Sequence, residues 1–200
     1  KLLRKQKSQR LSYVISNKKV HMTHITLAVT GSISAYKAAD ITSQLTKLGF
    51  EVKVLMTPSA QKFITPLTLQ VLSKNPVGLE VMVEDDPQRI EHIDIGKETD
   101  LFLVAPASAN TIAKLAMGLA DNMVTSTALA LPQRTKKLLA PAMNTKMLDH
   151  PATQRNLKLL QDYGYQIIQP REATLACGDQ GSGALATVDT IIQAVKENCL

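Results

Sequence analysis

The sequence contains no tryptophan, four tyrosines, three phenylalanines and two cysteines among its 200 residues. So few aromatic side chains argue against a surface that stacks nucleic-acid bases. Two cysteines, Cys177 and Cys199, are too few for a disulfide framework, which favours a cytoplasmic protein with reduced thiols. No apolar run reaches the roughly 18 residues that a membrane-spanning helix needs, so we expect no membrane span. We also predict no metal site.

The net charge of +6 is concentrated at the start of the chain. Residues 1–21 hold seven of the 23 Lys and Arg and no acidic residue, which leaves 16 basic and 17 acidic side chains in the rest. That near-neutral remainder argues against a nucleic-acid partner. Residues 1–21 lack the apolar core of a secretory signal, and we expect a non-native or disordered leader with Met22 as the native start. A basic arm that binds nucleic acid is the alternative.

Short apolar runs alternate with helical patterns over residues 22–200, which predicts a single α/β domain with a parallel sheet. The expected strands cover residues 24–30, 51–56, 77–83, 101–104, 135–140 and 165–168. We expect residues 170–187 to form a loop that contains glycine. The fold prediction is a three-layer, doubly wound, Rossmann-like sheet of six strands in the order 3-2-1-4-5-6.

Two polar strand exits are expected to meet at the switch point of this sheet, where open α/β folds bind ligands. The first is Gly31–Ser34 and the second is Pro106–Thr111. Backbone amides and serine hydroxyls at a helix start suit a phosphate group. A single glycine does not support a dinucleotide fingerprint, and simple capping by Ser32 or Ser34 would explain the same residues. Thr57, at the same edge, is either a further phosphate donor or another helix cap.

Three motifs in register resemble those of the flavin-containing cysteine decarboxylases. They are Gly-Ser-Ile-Ser-Ala-Tyr-Lys at 31–37, Pro-Ala-Ser-Ala-Asn-Thr at 106–111 and Pro-Ala-Met-Asn-Thr-Lys-Met at 141–147, and the resemblance extends over residues 25–198. It implies FMN as cofactor, and trimers with FMN between subunits that often assemble into dodecamers. The residues that it implies for cofactor binding are Gly31, Ser32, Ile33, Thr57, Ala107, Ser108, Ala109, Asn110 and Thr111.

The resemblance also implies a reaction, the removal of CO₂ from the cysteine of 4′-phosphopantothenoylcysteine to give 4′-phosphopantetheine in coenzyme A biosynthesis. In that family FMN oxidises the thiol to a thioaldehyde, the thiocarbonyl accepts the electrons left by CO₂, and re-reduction completes the cycle. Because the 200 residues leave no room for a synthetase domain, we expect a separate phosphopantothenate–cysteine ligase as the pathway partner.

Three residues match the family's catalytic positions. His92 matches its active-site histidine, although a histidine between two acidic residues is otherwise a solvated loop residue. Asn144 matches the asparagine of the third motif, whose neutral amide can hold the substrate carboxylate; its alternative is a turn with an Asx-type bond. Cys177 matches the cysteine that protonates the enethiolate, and its alternative is an incidental loop cysteine. The implied substrate-binding residues are Met143, Asn144, Ala176 and Gly178.

The sequence departs from the family's pattern at two positions. The third motif commonly continues Met-Trp, where this chain has Leu148, and the glycine-rich flap commonly ends Gly-x-Gly-Arg, where it has Ala184. The missing arginine removes a possible contact to the substrate phosphate. We interpret the three glycines of the flap, at 178, 181 and 183, as a sign of mobility.

Two other functions stay open. One is a peptidyl-cysteine decarboxylase, which would use the same residues on a peptide. The other is a non-catalytic regulator of protein phosphatases, like those relatives of the fold that have lost catalytic residues. Flavin prenyl transfer is disfavoured, because that reaction has no use for Asn144 and Cys177.

Overall fold

The computed structural model describes residues 23–83, 86–176, 178 and 180–199. The proposed leader, residues 1–21, lies outside them, as does Cys177. None of the helices in the described ranges is long and apolar enough to cross a bilayer.

The first half of the domain contains two strands and three α-helices before the central strand. Strand β1 is His24–Val29 and β2 is Glu51–Met56. The helices are α1 (Ala38–Lys47), α2 (Pro66–Ser73) and α3 (Glu91–Glu98), and two short 3-10 helices cover Ile33–Lys37 and Ala60–Lys62. Helix α2 begins at Pro66, where the ring replaces an N–H that has no partner within the helix.

The second half continues with β3 (Leu101–Ala107), α4 (Ala109–Met117), α5 (Met123–Ala130) and β4 (Lys136–Pro141). Then come α6 (Thr145–Asp149), α7 (Pro151–Asp162) and β5 (Tyr165–Ile167). A hairpin of β6 (Arg171–Thr174) and β7 (Gln180–Ala184) precedes α8 (Val188–Cys199).

Strands β1 to β5 form one parallel sheet in the order β2-β1-β3-β4-β5. Side chains alternate between its two faces, so Ile25, Leu27 and Val29 join one apolar core while Ala28 joins the other. Helices α1, α2 and α8 cover the first face, and α3, α4, α5 and α7 cover the second. The prediction of a three-layer α/β fold is therefore confirmed.

The predicted count of six strands is not confirmed, because the described residues form a parallel sheet of five strands. Residues 77–83 contribute only one isolated pairing, between Gly78 and Leu55. There the Gly78 N–H donates to Val54 O at 2.9 Å and the Met56 N–H donates to Gly78 O at 3.0 Å. Beyond that point the segment leaves the sheet, and the side chains of Met82 and Val83 are 93% and 62% exposed.

Four smaller corrections concern local structure. Pro106 does not end the central strand, because β3 continues to Ala107 with a shift in its register against β4. The sequence predicts a helix start at residues 57–60 with Pro58 at the first helical position, but residues 58 and 59 form a turn before the short 3-10 helix. His92 lies on helix α3 instead of in a loop. The expected loop over residues 170–187 contains the antiparallel hairpin of β6 and β7.

Candidate active site

The exits of strands β1, β3 and β4 are joined by side-chain hydrogen bonds at the carboxyl edge of the sheet. Thr30 is fully buried; its Oγ1 donates to Pro106 O at 2.6 Å and accepts from the Ser108 N–H at 2.8 Å. Ser32 Oγ donates to Ala142 O at 3.3 Å. These bonds fix the first two polar turns and the third motif relative to one another, as the switch-point prediction requires.

One cleft of about 300 Å³ lies between these exits, and we call it the hydroxyl-lined cleft. Its walls carry the hydroxyls of several serines and threonines, together with an ion pair. The lining residues are Gly31, Thr57, Pro58, Ser59, Ser108, Ala109, Asn110, Thr111, Lys114, Asp121, Asn122 and Met147. Six of the nine predicted cofactor-binding residues are therefore in one place: Gly31, Thr57 and 108–111.

Several of these hydroxyls also have local structural roles. Ser108 caps helix α4, because its Oγ accepts from the Thr111 N–H at 3.3 Å. Ser32 caps the first 3-10 helix through the Ser34 N–H at 3.4 Å, and Thr57 Oγ1 accepts from the Ala60 N–H at 3.3 Å. Ser32 is thus a helix cap, as the capping alternative expects. The second 3-10 helix has Ser59 as its N-cap, so the Thr57 bond belongs to the turn before that helix.

Sequence reasoning missed the ion pair of this cleft, which joins Lys114 of α4 to Asp121 before α5. The hydrogen bond from Lys114 holds the pKa of the Asp121 carboxyl below its usual value. Asn122 then starts α5 with a capping box, its Oδ1 accepting from the Thr125 N–H at 3.2 Å. In the sequence, an asparagine three residues before a threonine is a pattern that indicates the start of this helix.

A second cleft of about 460 Å³ adjoins the first, and we call it the elongated cleft. The two share Gly31, Ser108, Ala109 and Met147. The elongated cleft is lined by four segments that are distant in sequence, namely the three motifs and the hairpin. Its lining residues are 31–34, 36, 37, 108, 109, 142–144, 147, 171, 174–176 and 183–185.

The elongated cleft contains most of the other predicted site residues. Ser32, Ile33, Met143, Asn144 and Ala176 all line it. Ala107 is fully buried at the end of β3, and it lines neither cleft. Gly178 lies in the hairpin turn with φ +89°, outside the lining of both clefts.

Asn144 caps helix α6 in the wall of the elongated cleft. Its Oδ1 accepts from the Lys146 N–H at 2.8 Å, so the predicted Asx-type bond is present. This bond fixes the plane of the side-chain amide at the cleft. Leu148, which replaces the family's tryptophan, is 7% exposed and packs into the second core below α6.

The hairpin is held against the third motif by close backbone contact. The Met143 N–H donates to Gly183 O at 2.9 Å. A Cβ on Gly183 would lie 2.3 Å from Met143 O, and one on Gly181 would lie 2.4 Å from Thr145 Oγ1. Two of the three glycines that suggested mobility therefore allow a close approach, and only Gly178 has a positive φ.

The structure does not bring His92 to either cleft of its own chain. His92 lies near the start of α3, which packs against α5, and its Nδ1 is buried with no hydrogen-bond partner among the described residues. Within one chain His92 therefore does not lie beside Asn144 in the clefts. Cys177, the third member of the predicted trio, lies outside the described residues.

A third cavity, of about 400 Å³, lies at the opposite edge of the sheet. It is lined by the starts of β1 and β2 and by charged side chains that include the Lys53–Glu91 ion pair, at 3.0 Å. Parallel sheets of this class bind their ligands at the carboxyl edge, and the three motifs lie there. We therefore assign the candidate active site to the two adjoining clefts.

Comparisons with known proteins identify the family of this chain. The chain is 65% identical over 173 residues to the probable phosphopantothenoylcysteine decarboxylase of Streptococcus mutans, which covers 86% of this chain and 97% of that protein. It is 45% identical over 175 residues to the coenzyme A biosynthesis bifunctional protein CoaBC of Bacillus subtilis, covering 88% of this chain. The chain spans 43% of the length of that bifunctional relative.

Solved structures show the same fold. A cysteine-to-serine mutant of PPC decarboxylase complexed with pantothenoylaminoethenethiol superposes with a TM-score of 0.81 at 31% identity, covering 88% of this chain and 97% of that chain. The FMN-dependent cysteine decarboxylase SpaF superposes with a TM-score of 0.76 at 27% identity, covering 89% and 98%. The flavoprotein family model matches residues 14–200. The chain therefore belongs to the flavoprotein family, as the three motifs predicted.

Proposed function

We propose that this protein is an FMN-dependent phosphopantothenoylcysteine decarboxylase, which converts 4′-phosphopantothenoylcysteine to 4′-phosphopantetheine and CO₂. The observation that carries the proposal is that the two clefts adjoin, with Gly31, Ser108, Ala109 and Met147 lining both of them. A cofactor in the hydroxyl-lined cleft would contact a substrate in the elongated cleft. The identity of 65% to a probable phosphopantothenoylcysteine decarboxylase supports the same substrate class.

The donors of the hydroxyl-lined cleft fit FMN. The hydroxyls of Thr57, Ser59, Ser108 and Thr111, with the Asn110 amide, supply the hydrogen bonds that a phosphate and a ribityl chain require. When bound, FMN supplies two-electron redox chemistry at the substrate cysteine. Apolar side chains are available beside these donors for a flat ring, since Ile33 is 57% and Met147 50% exposed.

Asn144 would hold the substrate carboxylate in the elongated cleft. The bond from the Lys146 N–H fixes its amide, and a fixed neutral donor can orient the bond that breaks without repelling the negative charge. An aspartate at this position would place a second negative charge beside the carboxylate and oppose binding.

We assign proton transfer to Cys177 and His92, following their match to the family's residues. Cys177 would protonate the reduced product, for which a thiol is a reasonable acid. His92 would act from a neighbouring subunit in a trimer, with FMN between subunits and dodecamers as a higher assembly. The unpartnered Nδ1 of His92 and its position outside the clefts of its own chain support this arrangement.

The experiment is a visible absorption spectrum of the purified protein, followed by measurement of CO₂ release from phosphopantothenoylcysteine. We expect a flavin spectrum and CO₂ from the wild type, and a flavin spectrum without CO₂ from Asn144→Asp. A flavoprotein that releases CO₂ only from a peptide with a C-terminal cysteine would instead establish the peptidyl alternative. Failure to bind FMN, even after incubation with it, would overturn the proposal.

A further inference from the structure

Two cations lie together in the part of the elongated cleft that is not shared with the hydroxyl-lined cleft. Lys37 ends the first 3-10 helix and Arg171 begins strand β6, and both line the elongated cleft. Partial burial and the positive charge of Arg171 lower the pKa of the Lys37 ammonium. Since the two groups are close enough to repel each other, this end of the cleft has a positive potential.

No carboxylate of the described residues neutralises these cations. The ion pairs in that part of the chain are Lys53–Glu91, Arg89–Asp94, Lys97–Asp94 and Lys114–Asp121. Lys37 has an aromatic neighbour, its Nζ being 6.0 Å from the ring centre of Tyr36. Two like charges left side by side in a cleft are stabilised by an anion that binds between them.

The register of the hairpin connects Arg171 to the departure noted in the sequence. Arg171 is the cross-strand partner of Ala184, the position at which the flap motif commonly has arginine. The register shifts between Arg171 and Glu172, so this pair lies at an irregularity of the ladder. Both residues line the elongated cleft, so a guanidinium at 171 serves the same end of the cleft as one at 184 would.

We propose that Arg171, together with Lys37, binds the phosphate of the substrate and thereby replaces the arginine that is absent at Ala184. The inference rests on the proposed function, because it assigns a subsite to that substrate. The cysteine of the substrate must lie beside the cofactor, and its phosphate is at the other end of the molecule. Arg171 and Lys37 line only the elongated cleft, away from the lining that it shares with the cofactor side.

The test compares Arg171→Ala with the wild type on phosphopantothenoylcysteine and on pantothenoylcysteine, which lacks the phosphate. Losing a charged hydrogen-bond partner should raise KM for the phosphorylated substrate about tenfold to a hundredfold, with kcat little changed. The KM for the substrate without phosphate should stay within about twofold. Arg155→Ala is the matched control, because Arg155 is exposed on α7 and lines neither cleft.

The double variant Arg171→Ala/Ala184→Arg separates a phosphate contact from a structural role. Restoring the guanidinium from the opposite strand should recover most of the lost preference for the phosphorylated substrate. A similar rise in KM for both substrates, or no change in their ratio, would refute the inference while leaving the decarboxylase intact. If the wild type releases CO₂ from neither substrate, the proposed function itself fails.

Binding measured by calorimetry gives a second readout that does not depend on turnover. The holoenzyme should bind 4′-phosphopantetheine more tightly than pantetheine, and Arg171→Ala should remove about tenfold or more of that difference. Equal binding of the two products by the wild type would also contradict a phosphate subsite.

Discussion

The substitution Gly183→Ala tests whether the contact between the hairpin and the third motif positions Asn144. The added Cβ would lie 2.3 Å from Met143 O and 3.3 Å from the Thr145 amide nitrogen, both of them backbone atoms that cannot rotate away. Reaching an ordinary carbon–oxygen contact requires a separation larger by about 1 Å. Since Asn144 lies between these two residues, the same displacement must move its backbone or push the hairpin out of the cleft.

A displacement of about 1 Å in a positioning segment costs on the order of a hundredfold in rate. We therefore expect kcat for CO₂ release from phosphopantothenoylcysteine to fall by that factor in Gly183→Ala. Overpacking of this kind also destabilises a protein by about 1 to 3 kcal/mol. The assay is steady-state CO₂ release, combined with the melting temperature of the same samples.

Gly49→Ala is the control for stability alone. Gly49 has φ +88°, and a Cβ added there would have no atom within 4 Å. It follows α1, and it lines neither cleft. Its conversion to alanine should cost about 1 kcal/mol through backbone strain, with kcat unchanged. If Gly183→Ala kept kcat within twofold of the wild type, the contact would not position Asn144 and our reasoning would be wrong.

Three further predictions concern single side chains. Thr30→Val should lower the free energy of unfolding by about 1 to 3 kcal/mol in chemical denaturation, because the buried Pro106 carbonyl and the partly buried Ser108 N–H lose the hydroxyl that they share. Burial raises the pKa of the Cys199 thiol to about 11. In a Cys177→Ser background, iodoacetamide should therefore modify Cys199 slowly at neutral pH, and the rate should rise as the pH is raised. Rapid modification at neutral pH would contradict this. Since the hydrogen bond from Lys114 lowers the pKa of Asp121 when folded, this carboxylate stabilises the protein above its unfolded pKa of about 3.9 and loses that effect as pH falls through the folded value. Asp121→Asn should therefore make the melting temperature less dependent on pH in the acid range, and an unchanged acid limb would refute the assignment.

The central strands could be predicted from the sequence because they are buried on both faces. Residues 101–107 are fully buried, and such runs have few structural alternatives. The expected strand over 77–83 has a similar composition, but a short apolar run does not reveal whether its faces will be covered. In the structure only Gly78 pairs with the sheet, and Met82 is almost fully exposed.

The sequence could indicate which residues of the candidate site lie together wherever they belong to a contiguous motif. The segments 31–34, 108–111 and 142–144 line the two clefts as expected. Arg171 and the Lys114–Asp121 pair were missed, because their relevance depends on contacts between elements that are distant in sequence. The sequence also could not predict the position of His92, because that position depends on how α3 packs against α5.

The isolated pairing at Gly78 has a consequence for contacts between molecules. Strand β2 lies at one edge of the sheet, where unpaired main-chain groups can recruit a strand from another copy and begin aggregation. Here Gly78 bonds to Val54 O and the Met56 N–H, while Asn75 Nδ2 donates to Val52 O at 3.0 Å. The other edge strand, β5, has only three residues. The native sheet therefore offers little unpaired main chain at either edge to a strand from another copy.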